Sequence, residues 1–159
     1  MAKSITKTND LPSNSKQDTK KERKPVLINK YGVKVGNIFS VSWGYEQTNV
    51  DFFQVIALVG TSSVRVREVY LQITKETAVS GMSADRTYKL TNKLLPPAHH
   101  SVFIKDQENG DLKRLKSYAT DGKSNPQFYL SSFADAYYCE GDTITKYESW
   151  YAQSRNTPL

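Results

Sequence analysis

Cysteine is almost missing from this chain: Cys139 is the only one in 159 residues. A lone thiol excludes an intramolecular disulfide and a cysteine-built structural zinc site, and it suits a reducing compartment. Histidine is nearly as scarce, and His99 and His100 stand side by side after Pro96-Pro97. Adjacent strand residues point to opposite faces, so these two are expected as loop residues rather than a chelating pair. No apolar run approaches the ~18 residues that a membrane span needs. The N-terminal lysines are followed by no hydrophobic stretch, so no secretory signal is expected. The expectation is a soluble, cytoplasmic protein with no membrane partner.

The common chemical signatures are missing too. The chain has no GxxxxGK phosphate loop, no GxGxxG and no HExxH. Cys139 lies beside Tyr137, Tyr138 and Glu140, an apolar and acidic setting that raises a thiol's pKa and leaves it idle. Glu46 and Asp51 flank one polar loop and could form an acid–base pair. Gln47, Thr48 and Asn49 between them equally suit a loop that satisfies its own backbone. The expectation is therefore a protein that is not an enzyme, with no catalytic residue, no metal and no cofactor.

What is present is unevenly spread. Residues 1–24 carry seven Lys or Arg against three Asp or Glu, and their only large apolar side chains are Met1, Ile5 and Leu11. Such a segment cannot offset its ordering entropy by burial, so a disordered basic tail is expected over 1–24. Residues 25–159 carry fifteen basic and thirteen acidic side chains and read as a single β-rich domain. The tail either attracts a polyanion such as nucleic acid, through weak and salt-sensitive contacts, or serves solubility alone.

From Val33 the pattern has period two, with Val33, Val35, Phe39, Val41 and Trp43 on one face and Gly36-Asn37 as a bulge or turn. Asp51 to Val59 is apolar on both faces and reads as a central strand. Gly60-Thr61-Ser62 then leads into Ser63 to Ile73, whose phase slips at Arg67-Glu68 and predicts a bulge. Residues 74–86 read as a loop or one short helix, and Thr87 to Leu95 as a strand ended by prolines. Short strands are expected at Val102–Ile104, Leu112–Tyr118, Gln127–Leu130, Ala136–Cys139 and Thr143–Trp150. Asn109-Gly110 and Asp121-Gly122 are hairpin signals between them, and Glu140-Gly141 marks a further turn. The fold class is mainly β: a small curled antiparallel barrel, Src-homology-3-like, with additional hairpins and a short helix at most.

Ser42 to Phe53, SWGYEQTNVDFF, is the most informative stretch. Trp43 and Tyr45 surround a glycine at a strand end, and Glu46, Gln47, Thr48 and Asn49 can all hydrogen-bond. Such a loop at a barrel mouth can stack a base and read its polar edge. For Trp43 a place on the buried face is favoured; for Tyr45 and the polar four both places stay open. A second candidate surface joins Arg65 and Arg67, on the outward face of one strand, with Lys113, Arg114 and Lys116. Alternating basic residues on a sheet suit a phosphate backbone, and equally suit plain solubility.

The stretch also resembles a family of small uncharacterised proteins of bacteriophages, plasmids and their bacterial hosts, with SWGY, Asp or Glu, then QTN. Further similarities are VRVRE at Val64–Glu68, GMS at Gly81–Ser83, KRLKSY at Lys113–Tyr118, SSFADAYY at Ser131–Tyr138 and YESWYA at Tyr147–Ala152. The resemblance implies a mobile-element origin and a bacterial cytoplasm, and it assigns no residue a role. The long tail departs from the pattern, as does Cys139 where the family tends to have tryptophan. Two functions are expected to compete. One is a nucleic-acid-binding small-barrel module. The other is an inhibitor of a host defence system, anti-CRISPR or anti-restriction, that acts by binding a host protein.

Overall fold

The computed structural model describes residues 27–44, 47–120 and 123–150. The expected tail, residues 1–24, lies outside them. The described chain forms nine strands: β1 (Ile38–Trp43), β2 (Asn49–Val59), β3 (Ser63–Glu68), β4 (Gln72–Ser80), β5 (Ser83–Lys89), β6 (Asp111–Thr120), β7 (Lys123–Ser131), β8 (Ala134–Cys139) and β9 (Thr143–Ser149). Six of them, in the order β1-β2-β3-β6-β7-β8, make a closed antiparallel barrel, and β9-β5-β4 make a separate three-stranded sheet. The described residues contain no α-helix.

Alternation decides which side chains meet inside the barrel. Phe39 and Val41 from β1, Phe53 and Val55 from β2, and Val64 and Val66 from β3 point inward, with Leu115, Phe128 and Ala136 from the other side. Phe39 and Phe128 lie 5.0 Å apart between ring centroids, and Phe53 stands edge-on to Phe128 at 6.3 Å. Such tilted pairs add about 0.5–1.5 kcal/mol beyond their burial. Closure comes from β1 pairing with β8, Ile38 with Cys139, Phe39 with Tyr138 and Ser40 with Tyr137. A closed barrel leaves no strand edge open.

Loops fill both barrel ends. At one end Val33 packs into the core, and the Lys30 N–H donates to the Thr61 carbonyl. At the other, residues 96–110 fold over the opening and place Phe103 against Trp43 at 5.5 Å and Phe53 at 6.3 Å. Gln107 holds this loop to the end of β3. Its side chain accepts the Glu68 N–H at 2.9 Å and donates to the carbonyls of Glu68 and Leu95. Asp111 accepts the N–H groups of Lys105 and Asp106, both at 2.9 Å. A loop with its backbone satisfied in this way can be buried without penalty.

The second sheet covers the outer face of β1 and β2. Ala84, Arg86 and Tyr88 alternate along β5 toward the barrel, and the Tyr88 ring packs tilted against Phe52 at 4.7 Å between centroids. Ile38, Val50, Val69, Leu71 and Cys139 complete this second apolar cluster.

Several sequence-level expectations need correction. The phase slip at Arg67-Glu68 is no bulge: β3 ends there, and the chain leaves the barrel through the Val69–Leu94 bridge to start the second sheet. The bulge lies opposite, on β2 between Val55 and Ala57. Residues 74–86, expected as a loop or helix, form most of the β4–β5 hairpin, whose polar strands hide in sequence because β4 is largely exposed. The strand expected from Thr87 to Leu95 is the end of β5, which stops at Lys89, followed by irregular chain. Val102–Ile104 is no strand, because the Ser101 hydroxyl accepts the Ile104 N–H in a turn. Asn109-Gly110 joins no hairpin; Gly110 takes φ +86 inside the capping loop, with its N–H bonded to the Asp106 carbonyl. Val35 is exposed, in the turn before β1.

Phe52 joins the barrel to the second sheet and is fully buried. Phe52→Ala should cost roughly 3–5 kcal/mol in urea unfolding. A single transition with an unchanged slope is expected; two separate transitions would mean that the sheet folds independently of the barrel.

Candidate functional site

The structure separates the two candidate surfaces. In the SWGYEQTN segment, Gly44 has φ +126, and a side chain there would run into the Gln47 carbonyl oxygen, so the chain turns back on itself. Tyr45 and Glu46 lie outside the described residues. Gln47 is exposed and donates to Asn49 Oδ1 at 2.8 Å, while Asn49 itself is buried. Thr48 exchanges bonds with Ser149: its N–H donates to Ser149 Oγ at 2.8 Å, and its carbonyl accepts the Ser149 N–H at 2.9 Å. This segment therefore ties the barrel to β9. Trp43 is half-buried against the core, and its indole Nε1–H donates to Asp51 Oδ2 at 2.9 Å. Trp43 and Asn49 are thus packed or bonded within the fold, and Asp51 accepts the indole N–H.

A charged cluster that sequence reasoning missed lies behind this corner. Arg86 is fully buried and bonds Glu76 Oε2 at 2.6 Å and the carbonyls of Ser149 and Trp150 at 3.1 and 2.9 Å. Glu148, also fully buried, sits 3.6 Å from Arg86 Nη1. Burial pushes the Glu148 carboxyl up to about 7; Arg86 opposes the shift, and Asp51 and Glu76 add to it. The available signal was the alternation of Ile144, Lys146 and Glu148 along β9, which places Glu148 on the covered face.

The basic residues gather differently from expectation. Pairing of β3 with β6 sets Arg65 opposite Leu112, Val64 opposite Lys113 and Ser63 opposite Arg114. Arg65, Leu112, Arg114 and Lys116 share the exposed outer face, while Lys113 has the inward parity of Leu115 and sits half-buried near the barrel end. Arg67 does not join them: its Nη2 donates to the Leu95 carbonyl at 3.1 Å, which ties β3 to the chain before the capping loop. Arg65 also bonds a carbonyl, that of Gly110, at 3.2 Å, and remains exposed.

Beside these cations stand two aromatics the sequence reading did not single out. Tyr129 on β7 is 56% exposed and Tyr137 on β8 is 50% exposed. Both have outward parity because their neighbours Phe128 and Ala136 fill the core. Tyr129 pairs with Asp135, and Gln127 with Tyr137, so the two tyrosines are diagonal neighbours, their Cα atoms about 7–8 Å apart by ordinary sheet geometry. Lys116 lies across from Gln127 and reaches Asp135 Oδ2 at 3.3 Å. An open groove of about 470 Å³ runs between the capping loop and this face, lined by Arg65, Lys105, Leu112, Lys113 and Tyr129 among others.

Among the described residues, no three His, Cys, Asp or Glu side chains gather as a metal site would need. His99 and His100 lie in the capping loop, with His99 Nε2 3.4 Å from Glu68 Oε1. Cys139 is buried in the second apolar cluster, and that burial raises its thiol pKa. Among the described residues there is no helix long and apolar enough to cross a membrane. No protein-family model, curated protein or solved structure matches the chain.

The Glu148 environment makes a pH prediction. A carboxyl near 4.5 in the open chain and near 7 when folded stabilises the fold in its protonated form, and that contribution fades as pH rises through about 7. Glu148→Gln should therefore gain on the parent by roughly 2–3 kcal/mol between pH 4.5 and 8 in unfolding experiments. A difference that does not change with pH would contradict this.

Proposed function

We propose that the chain is a non-enzymatic nucleic-acid-binding module of a phage or other mobile element, and that its binding surface is the outer face of β3, β6, β7 and β8. The observation that carries this reading is the joint exposure of Arg65, Arg114 and Lys116 with Tyr129 and Tyr137 on one continuous sheet face, beside the groove at Lys113. Neither Arg114 nor Lys113 forms a salt bridge among the described residues. The ion pair of Lys116 is at the surface, where such pairs contribute about 0–1 kcal/mol, so a phosphate can replace Asp135 at little cost. The basic segment 1–24 supplies further cations in the sequence for the same polyanion. The SWGYEQTN corner has a structural part in this reading.

One observation favours the alternative, an inhibitor that binds a host-defence protein. Phe133, at the β7–β8 turn, is 68% exposed with its ring 6.2 Å from that of Phe103 on the capping loop, and an exposed aromatic can anchor a protein interface.

The double variant Arg65→Glu and Arg114→Glu should stay folded with at most a small loss of melting temperature, since both side chains are exposed and Arg65 gives up its bond to the Gly110 carbonyl. It should lose nucleic-acid retention at low salt, and the parent's affinity should fall steeply as salt rises. Absence of retention by the parent at low salt would overturn this reading and leave the protein partner to be sought by pull-down from host lysate.

A further inference from the structure

We infer that the ligand of this face is a single strand, with unpaired bases stacked on Tyr129 and Tyr137; the inference rests on the nucleic-acid reading above. A duplex offers a reader its groove edges and phosphates, while the faces of its bases are covered by their neighbours. Ring faces standing out from a sheet therefore find a complementary surface only on bases that are unstacked. Tyr129 and Tyr137 project from adjacent strands on one side of the barrel, with the Gln127–Tyr137 pair set beside Lys116. Their lower edges are held by the sheet, and their exposure leaves ring area uncovered. Two rings diagonally placed across β7 and β8 form a short platform on which successive bases can lie.

Cations border that platform. Arg114 lies one residue before Leu115, the partner of Phe128, and so stands on the outward side next to Tyr129. Arg65 and Lys113 line the groove on the far side of Tyr129, where the strand's backbone would pass. Gln127 is buried in the sheet between Lys116 and Tyr137. Asp135 is the acid between the two tyrosines, half-buried and paired with Lys116. Its charge opposes a polyanion, so it limits affinity on this face. A sheet that bound duplex DNA through phosphates alone would have no use for the rings.

The test uses the full chain, with fluorescence anisotropy of a labelled oligothymidylate and of a duplex of equal length at low salt. The parent should bind the single strand more tightly. Tyr129→Ala and Tyr137→Ala should each weaken single-strand binding by roughly 5- to 100-fold and leave duplex binding nearly unchanged, while the phenylalanine variants should restore it. Asp135→Asn should tighten binding to both. Melting temperatures of the variants establish that each is folded. Tighter binding of the duplex, with alanine variants equal to the parent, would overturn the single-strand inference and leave the nucleic-acid reading standing. Retention of neither probe by the parent would overturn both.

Discussion

Three residue pairs, Ile38 with Cys139, Phe39 with Tyr138 and Ser40 with Tyr137, close the barrel, and the remaining parts of the fold are arranged around that seam. Closure commits one parity of each barrel strand to a core built on Phe39, Phe53 and Phe128, and so commits the other parity to the outside. On β1 and β2 the outside is covered at once: Phe52 packs against Tyr88 and the second sheet takes that face out of water. On β6, β7 and β8 the same constraint leaves Leu112, Tyr129 and Tyr137 facing solvent. The asymmetry between these two sides marks the surface available for a ligand.

The two sheets meet at an electrostatic cost. Arg86 gives up water for Glu76, Glu148 and two backbone carbonyls, and the burial of Glu148 raises its pKa despite that neighbour. Buried ion pairs of this kind are weak sources of stability, because desolvation consumes much of the attraction. Their geometric demand is high, however. Arg86 fixes where the chain runs after β9 by holding the carbonyls of Ser149 and Trp150, and Ser149 in turn holds Thr48 at the barrel corner. The polar residues of the corner are thereby occupied in joining elements.

Much of the barrel was legible in the sequence, because its strands have a buried face and alternate. Phe39 and Val41 on β1 and the doubly apolar β2 could be read directly, and β6 and β7, on either side of the Asp121-Gly122 signal, pair antiparallel; those two residues themselves lie outside the described ones. The second sheet was not legible. β4 is mostly exposed on both faces, so hydrophobic periodicity, the signal that reveals a strand, is absent there. Val102–Ile104 gave the opposite error, since a short apolar run can plug a barrel end, as Phe103 and Ile104 do, as well as form a strand. The candidate site divided in the same way. Arg65, Lys113, Arg114 and Lys116 could be grouped by composition, but Arg67 was separated from them only by its bond to the Leu95 carbonyl. Tyr129 and Tyr137 were overlooked because a tyrosine on a strand is as often core as contact, and only the register reveals their outward parity.

A direct measurement of the central claim is the map of amide shifts when an oligonucleotide is titrated into isotopically labelled protein. The account places the shifts on Arg65, on Leu112 to Lys116, on Gln127 to Tyr129 and on Asp135 to Tyr137, the residues of one outer barrel face. Shifts confined to the corner at Gly44 to Asn49 or to the sheet of β4, β5 and β9, or none at all, would contradict it.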